Sequence, residues 1–293
     1  MMNILGVDVG GTFVRMGTLR DGKIEEPVKR GSAEIFSAPG GAAEGLARAI
    51  KEYADGKNIA AAGVGIPGTV SRDGERVLNV PNIPGLNGVP LRDALTDALN
   101  APVFVENDIT MLATGDSRRL GLERGVVFGC YIGTGLGGAV LVDGRLLRGR
   151  SGLCEPGHIA VYGLDRPCAC GKSGCAEPYV AGRALERLLA EKYPERSIAE
   201  IFEAMSREEL AEYVDILAHL LASAVQLLDP DAVIMGGGVC AMSGFPRELL
   251  LERLTQLCMT PVPASTLNLL YPVASDVSGV YGAAVFAQNS LIL

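Results

Sequence analysis

The sequence predicts an α/β protein of two related lobes, and three observations carry that prediction. The N-terminus reads as strand, glycine turn, strand and hairpin: an apolar run over residues 4–9, the turn Gly10-Gly11-Thr12, a second run over 13–19, then Asp21-Gly22. The same order returns from Val126, through Gly133-Thr134-Gly135 and residues 138–142, to Asp143-Gly144. The spacing is nearly equal, eleven positions from Gly10 to Asp21 and ten from Gly133 to Asp143, which suggests a repeated unit rather than one doubly wound sheet. A length of 293 residues fits one or two domains.

The remaining elements follow in order. Residues 40–54 carry helical spacing at Ala43, Leu46, Ala47 and Ile50. Residues 59–66 read as a buried strand stopped by Pro67-Gly68, residues 91–99 as a short helix, and 102–105 as another strand. Residues 211–228 are apolar at Val214, Leu217, Ala218, Leu221, Val225 and Leu228, a helix that Asp229-Pro230 ends. A buried strand over 232–235 runs into Gly236-Gly237-Gly238, a helix is expected over 246–257, and the small-residue tail from Ser278 reads as helix.

Composition narrows the function. Hydrophobic residues at 48% and charged residues at 20% are globular proportions and exclude a disordered chain. A net charge of -8 with no Lys/Arg run argues against nucleic acid and against an anionic membrane as partners. The stretch 125–142 is 18 residues without a charge, but its six glycines make it a poor helix and a good strand-turn-strand. The start meets Asp8 before any signal-peptide core forms, so a cytoplasmic protein is expected. Of seven cysteines, Cys130, Cys154, Cys240 and Cys258 read as buried free thiols, whereas Cys168, Cys170 and Cys175 cluster as metal ligands do in a reducing compartment.

Each glycine turn lies between strands. Glycine permits positive φ and close backbone approach, so successive N–H groups can converge on an anion, with Thr12 and Thr134 adding hydroxyls. Two such turns facing each other would grip a triphosphate; a plain structural hairpin is the alternative for either one. Neither is a Walker loop or a dinucleotide fingerprint. Asp8, just before its turn, is placed to hold Mg²⁺ beside phosphates or, alternatively, to cap the turn. Residues 103–108 put Glu106, Asn107 and Asp108 at the carboxyl end of a strand, where α/β sheets bind ligands. There Asn107 is placed to hold a substrate hydroxyl and Asp108 to accept its proton, or either residue caps the next helix. A carboxylate of pKa about 3.9 cannot ionise an alcohol in advance, but a loose phosphoryl-transfer transition state asks it only to orient the hydroxyl and take the proton late.

His158, Cys168, Cys170 and Cys175 make one imidazole and three thiolates, a closed tetrahedral Zn²⁺ set that would be structural, with Gly171 and Gly174 letting the chain fold tightly around the ion; reduced, unliganded cysteines are the alternative. Glu155 and Glu177 bracket this knuckle and can accept hydrogen bonds from a polyol. His219 has no assigned role beyond packing or surface.

Asp8-Val-Gly-Gly-Thr12, Gly133-Thr-Gly-Leu-Gly-Gly138, Glu155-x-Gly-His158 and the Cys-x-Cys-Gly-x-x-Gly-Cys-x-Glu run ending at Glu177 resemble the ROK family of sugar kinases and sugar-responsive repressors, from residue 4 to about 287. The resemblance implies the actin-like, ribonuclease H-like two-lobed ATPase fold with a cleft, a small lobe of residues 1–106 joined by a C-terminal helix over about 279–293, and a large lobe of 107–278. It implies ATP, Mg²⁺ and structural Zn²⁺ as cofactors, Asp108 as catalytic base, and Asn82, Asn107, Glu155, His158 and Glu177 as sugar contacts. Asp8, Gly10, Gly11, Thr12, Gly133, Thr134, Gly135 and Gly236-Gly237-Gly238 then serve the nucleotide. His158 would use one ring nitrogen for zinc and the other for a sugar hydroxyl.

The expected reaction is phosphorylation of a hexose 6-hydroxyl by a homodimer. Residues 229–238, Phe245-Pro-Arg-Glu248 and Ser275-Asp276 before Gly279 are most similar to members acting on D-allose. Thr110 two places after the base, where many members carry Asn, and Leu86 after Gly85, where glucose-specific members often carry Trp, depart from the glucokinase pattern. A sugar-sensing repressor is the competing class; only seven residues precede Asp8, too few for a helix-turn-helix. A degenerate sugar-binding protein is the third, and within the kinase reading a glucokinase or another hexose or N-acetylhexosamine kinase is the alternative to an allose kinase.

Overall fold

The computed structural model describes residues 2–150 and 154–292; Met1 and Leu293, the outer ends of the expected small lobe, lie outside the described residues. The chain forms two compact units, the first Met1–Gly121, Arg145–Leu153 and Ser275–Leu293, the second Leu122–Gly144 and Cys154–Ala274. This corrects the expected division after residue 106. The helix Asp108–Arg119 belongs to the first unit, because it packs on the C-terminal helix Ser278–Ser290.

The first unit is built on a five-stranded sheet in the order Lys23–Gly31, Phe13–Arg20, Asn3–Val9, Ile59–Ile66, Val103–Asn107. The first three strands are antiparallel neighbours, and Asn3–Val9, Ile59–Ile66 and Val103–Asn107 run parallel. Asp21 and Gly22 both take positive φ, 50° and 77°, so the expected hairpin is a tight primed turn. The strand after it, KIEEPVKRG, is mostly exposed and has no apolar alternation to reveal it.

Period-two alternation sorts the parallel strands into two faces. Leu5, Val7, Val9, Val64, Ile66, Val103 and Val105 join Leu46 and Ile50 of the helix Ala42–Ala54 in one core. The opposite face carries Ile4, Gly6 and Asp8 on one strand, Ala61, Gly63 and Gly65 on the next, and Phe104 and Glu106 on the edge strand. Here the C-terminal helix lies almost on the backbone of the sheet. A Cβ at Gly6 would fall 2.0 Å from the Val280 carbonyl oxygen, and one at Gly63 1.9 Å from that of Ala283. Gly115 of the helix Asp108–Arg119 meets Gly282 in the same way, a Cβ there falling 2.7 Å from Gly282 Cα.

In the second unit, strands Leu136–Val142, Val126–Ile132, Ala232–Gly236 and Leu269–Leu270 are successive neighbours, the first pair antiparallel and the rest parallel. The stretch 125–142 is therefore the strand-turn-strand expected of it. The helix Arg207–Leu228 starts on a capping box, Ser206 with Glu209, and ends at Asp229 in the left-handed conformation before Pro230. It is long and apolar enough to cross a membrane, but its apolar face is buried in this unit's core with Val233, Met235 and Leu250. Phe202 meets Tyr213 and Phe245 edge to face, with centroids 5.2 and 5.4 Å away. Cys130, Cys240 and Cys258 are buried free thiols as expected, while Cys154 is only half-buried.

Candidate active site

In the first unit the candidate residues gather at the carboxyl ends of the parallel strands. Arg15 pairs with Asp8, Asp8 with Gly65, and Gly65 with Glu106, so four strands present one row at one level. Gly65 is the gap in that row. A Cβ there would stand 3.3 Å from Asp108 Cα and from Met111 Sδ, so its absence lets the helix Asp108–Arg119 begin directly over the sheet.

Asp108 is the first residue of that helix, and its Oδ1 accepts the Ile109 N–H at 2.9 Å. Burial pushes its carboxyl up to about 7, and the charge on Asp8 adds to the rise. This corrects the weak base expected from the sequence. Asp8 is itself raised by burial, with Arg15 pulling it back. Arg15 Nη1 stands 3.7 Å from Asp8 Oδ2, an ion pair too long for a hydrogen bond. Asp8 also touches the C-terminal helix: a Cβ at Gly279 would lie 2.6 Å from its Cγ.

Asn107, not Asp108, is the helix cap. Its Oδ1 accepts the Thr110 N–H at 3.2 Å, and its Nδ2 donates to the Gly68 carbonyl at 3.0 Å. One amide hydrogen is left for a ligand. Glu106 is 3% exposed; Arg148 Nη2 lies 2.5 Å from its Oε2, and its Oε1 accepts the Asn107 N–H at 2.8 Å.

Gly10, Gly11 and Thr12 form the turn after Asp8, and Gly10 donates to the Phe13 carbonyl at 2.9 Å. Ser32 Oγ donates to the Gly10 carbonyl at 2.6 Å and Ser32 N–H to that of Thr12 at 2.9 Å, bracing the loop from outside. Neither glycine has positive φ, which corrects that part of the expectation; a Cβ at Gly10 would stand 3.0 Å from the Phe13 carbonyl oxygen, whereas Gly11 has room for one. Exposed Asn82 lies beside Gly11, its Cβ 3.7 Å from where a Gly11 Cβ would be. The structure thus gathers Asp8, Gly10, Gly11, Thr12, Asn82, Asn107 and Asp108 in one unit.

The second unit gathers the others. Gly133 and Gly135 also lack positive φ, and Gly133 N–H donates to the Gly135 carbonyl at 2.9 Å. Thr134 is exposed. Gly236-Gly237-Gly238 ends the neighbouring parallel strand. Gly237 has φ 91°, and a Cβ there would fall 2.3 Å from the Ile132 carbonyl, so this glycine is required on both counts. Glu177 opens the short helix Glu177–Val180; its Oε2 accepts the Leu136 N–H at 2.9 Å and leaves no room for a side chain at Gly135.

His158 sits in a single 3₁₀ turn, Pro156–His158. Its Nδ1 is 3.4 Å from Cys168 Sγ and its Nε2 4.0 Å from Glu155 Oε2, so the ring's two nitrogens face different partners. Burial and Glu177 raise the Glu155 carboxyl, and His158 lowers it. The ligand atoms of His158, Cys168, Cys170 and Cys175 lie within 4.8 Å of one another, and Cys170 and Cys175 sulfurs are 3.6 Å apart. A tetrahedron with metal–sulfur bonds of about 2.3 Å has edges of about 3.8 Å, so the donor set fits Zn²⁺. Gly171 and Gly174 take φ of 87° and 80°, the tight turns expected of them.

Sequence reasoning singled out neither Arg15 nor Arg148 nor Gly65. The signal available was a charged Glu106 directly after the apolar run Val103-Phe104-Val105, which when buried demands a cationic partner.

This is the α/β fold of actin-like ATPase type found in solved sugar kinases. The sequence profile of the ROK family matches residues 4–290, and the chain belongs to that family. It is 29% identical to the glucokinase of Thermotoga maritima, over 99% of this chain and 98% of that protein. It is 31% identical to the N-acetyl-D-glucosamine kinase of Pectobacterium carotovorum, over 76% of this chain and 78% of that one. A solved ROK glucokinase from Streptomyces griseus, in complex with glucose and AMPPNP, superposes with a TM-score of 0.79 at 28% identity, covering 98% of this chain and 99% of that one.

Proposed function

We propose that the chain is an ATP-dependent kinase that transfers the terminal phosphoryl group to the 6-hydroxyl of a hexose. The observation that carries this reading is the Asp108 carboxyl, set at the strand-to-helix corner above Gly65 and raised to about 7. A base of that strength matches neutral pH, where proton transfer from an alcohol gains most. In a loose transition state Asp108 orients the hydroxyl and accepts its proton as the new P–O bond forms, and the bond to the leaving diphosphate breaks.

Asp8 fits a Mg²⁺ site: partly buried, and held at 3.7 Å from Arg15, it keeps lone pairs for a cation. Bound there, Mg²⁺ would neutralise phosphate charge. The turns at Gly10-Gly11-Thr12 and Gly133-Thr134-Gly135 present backbone close to the phosphates, and Gly236-Gly237-Gly238 the nucleoside. Asn82, Asn107, Glu155, His158 and Glu177 hold the sugar hydroxyls. Zn²⁺ on His158 Nδ1 and the three thiolates would cross-link the knuckle and leave His158 Nε2, beside Glu155, for a hydroxyl.

D-Allose is the proposed sugar, supported by residues 229–238, Phe245–Glu248 and Ser275-Asp276, which lie outside the proposed sugar contacts. The glucokinase and N-acetyl-D-glucosamine kinase relatives favour a second reading, glucose or its N-acetylamino derivative. A kcat/KM panel by coupled ADP release over allose, glucose, mannose, fructose and N-acetylhexosamines decides between them, since one hydroxyl's orientation is read by pocket shape. No sugar-dependent ADP release across the panel would sink the kinase reading. The proposed assembly is a homodimer, tested by sedimentation.

A further inference from the structure

Glu106 is a buried carboxylate that phosphoryl transfer does not use. It ends the helix-facing row of the edge strand after Phe104, its side chain only 4% exposed. Burying a carboxylate is expensive, and a buried ion pair adds little stability over apolar residues of the same size. Stability alone therefore gives no reason for Glu106 to stand among Val103, Phe104 and Val105.

Its two oxygens do different things. Oε2 meets Arg148 Nη2 at 2.5 Å, and Oε1 accepts the Asn107 N–H at 2.8 Å. Asn107 in turn caps the helix that starts at Asp108, through its Oδ1 on the Thr110 N–H, and is tied by its Nδ2 to the Gly68 carbonyl. The chain at this corner changes from strand to helix within one peptide. The ion pair draws Oε2 towards Arg148 and leaves Oε1 turned to the Asn107 N–H.

We infer that Glu106 and Arg148 are a positioning pair for the reaction: Arg148 pins the Glu106 carboxylate so that it holds the Asn107 amide, and that bond fixes the corner presenting Asp108. Arg148 and Glu106 both belong to the first unit, 42 positions apart in sequence. The inference rests on Asp108 being the base, but the geometry it describes does not.

The test is a cycle of Arg148→Met, Glu106→Gln and the double variant, with Arg148→Lys as the conservative control. Glu106→Gln keeps an oxygen for the Asn107 N–H and removes the charge that needs a partner. Arg148→Met is expected to lower kcat at least tenfold with KM for ATP and sugar within about threefold. Arg148→Lys should recover part of the loss, and the double variant most of it, because no unpaired charge remains. Independently of activity, hydrogen exchange over residues 103–112 should quicken in Arg148→Met and return towards wild type in the double variant. Arg148→Met with unchanged exchange there overturns the pair's role, whatever the kinetics. So does an exchange loss that spreads over the whole first unit and is not relieved in the double variant, the mark of a merely structural contact. A wild type without kinase activity that nonetheless shows the expected exchange pattern would retire the proposed reaction and leave the corner's positioning intact.

Discussion

Asp108 combines two demands that conflict. A carboxyl raised to about 7 is a better base than a solvated one, and the same desolvation makes the ionised form unfavourable in the fold. Its folded value lies above its unfolded value near 3.8, so the protonated carboxyl is the form the fold prefers. That contribution is complete below about pH 4 and disappears as pH rises through about 7. Asp108→Asn should therefore lower kcat by about 10²–10⁴, yet raise Tm at pH 8 by several degrees, the gain vanishing near pH 4 in calorimetry. In the wild type, kcat/KM should fall as pH drops below about 7, where Asp108, the proposed base, is protonated. An Asp108→Asn protein that turns over normally, or that is less stable at pH 8, would contradict this account. Asn107 shows how close the readings at one position lie. The sequence allowed a cap or a ligand contact, and the fold makes it a cap with one amide hydrogen to spare.

At the scale of elements, the C-terminal helix Ser278–Ser290 decides how the first unit is assembled. It approaches two strands through Gly6 and Gly63, and the helix Asp108–Arg119 through Gly115 and Gly282. The clashing atoms at Gly6 and Gly63 are backbone, which cannot swing aside. Gly63→Ala should cost about 1–3 kcal/mol or more in urea unfolding; an unchanged midpoint would show that the helix sits further out. In the second unit the knuckle is a turn whose residues 169–173 are all exposed. Its Cys168 amide donates to the Lys172 carbonyl at 2.8 Å, and Cys175 forms a bridge with Ala160. Purified protein should carry about one zinc per chain, and Cys170→Ser should lose it together with several degrees of Tm. Metal analysis by mass spectrometry checks this, and an active zinc-free preparation would refute it.

For the whole molecule, the proposed nucleotide and sugar residues fall in both units, Asp8 and Asp108 in the first, Glu155, His158 and Glu177 in the second. A ligand that binds only the folded chain at 100 times its Kd adds about 2.7 kcal/mol. A Mg²⁺-bound, non-hydrolysable ATP analogue should accordingly raise Tm by several degrees, and Asp8→Ala should abolish that shift while sparing the shift caused by sugar. An equal loss of both would mean that Asp8 holds the fold and not the metal.

Much of this architecture is local and therefore legible along the chain. The apolar strand runs, the Asp21-Gly22 hairpin, the Asp229-Pro230 stop of the helix Arg207–Leu228, and the His/Cys spacing act over a few residues, and each appears where its pattern occurs, although that helix starts earlier than expected, on its Ser206–Glu209 capping box. The exposed strand Lys23–Gly31 escaped because its neighbour supplies hydrogen bonds and no buried face marks it. What tertiary structure alone decided depends on groups far apart in sequence. Arg148 reaches Glu106, Gly279 makes room for Asp8, Gly65 leaves space for Asp108, and burial lifts the Asp108 carboxyl to about 7. Electrostatic energy depends on distance and on exclusion of water, and neither exists until strands and helices have closed on one another.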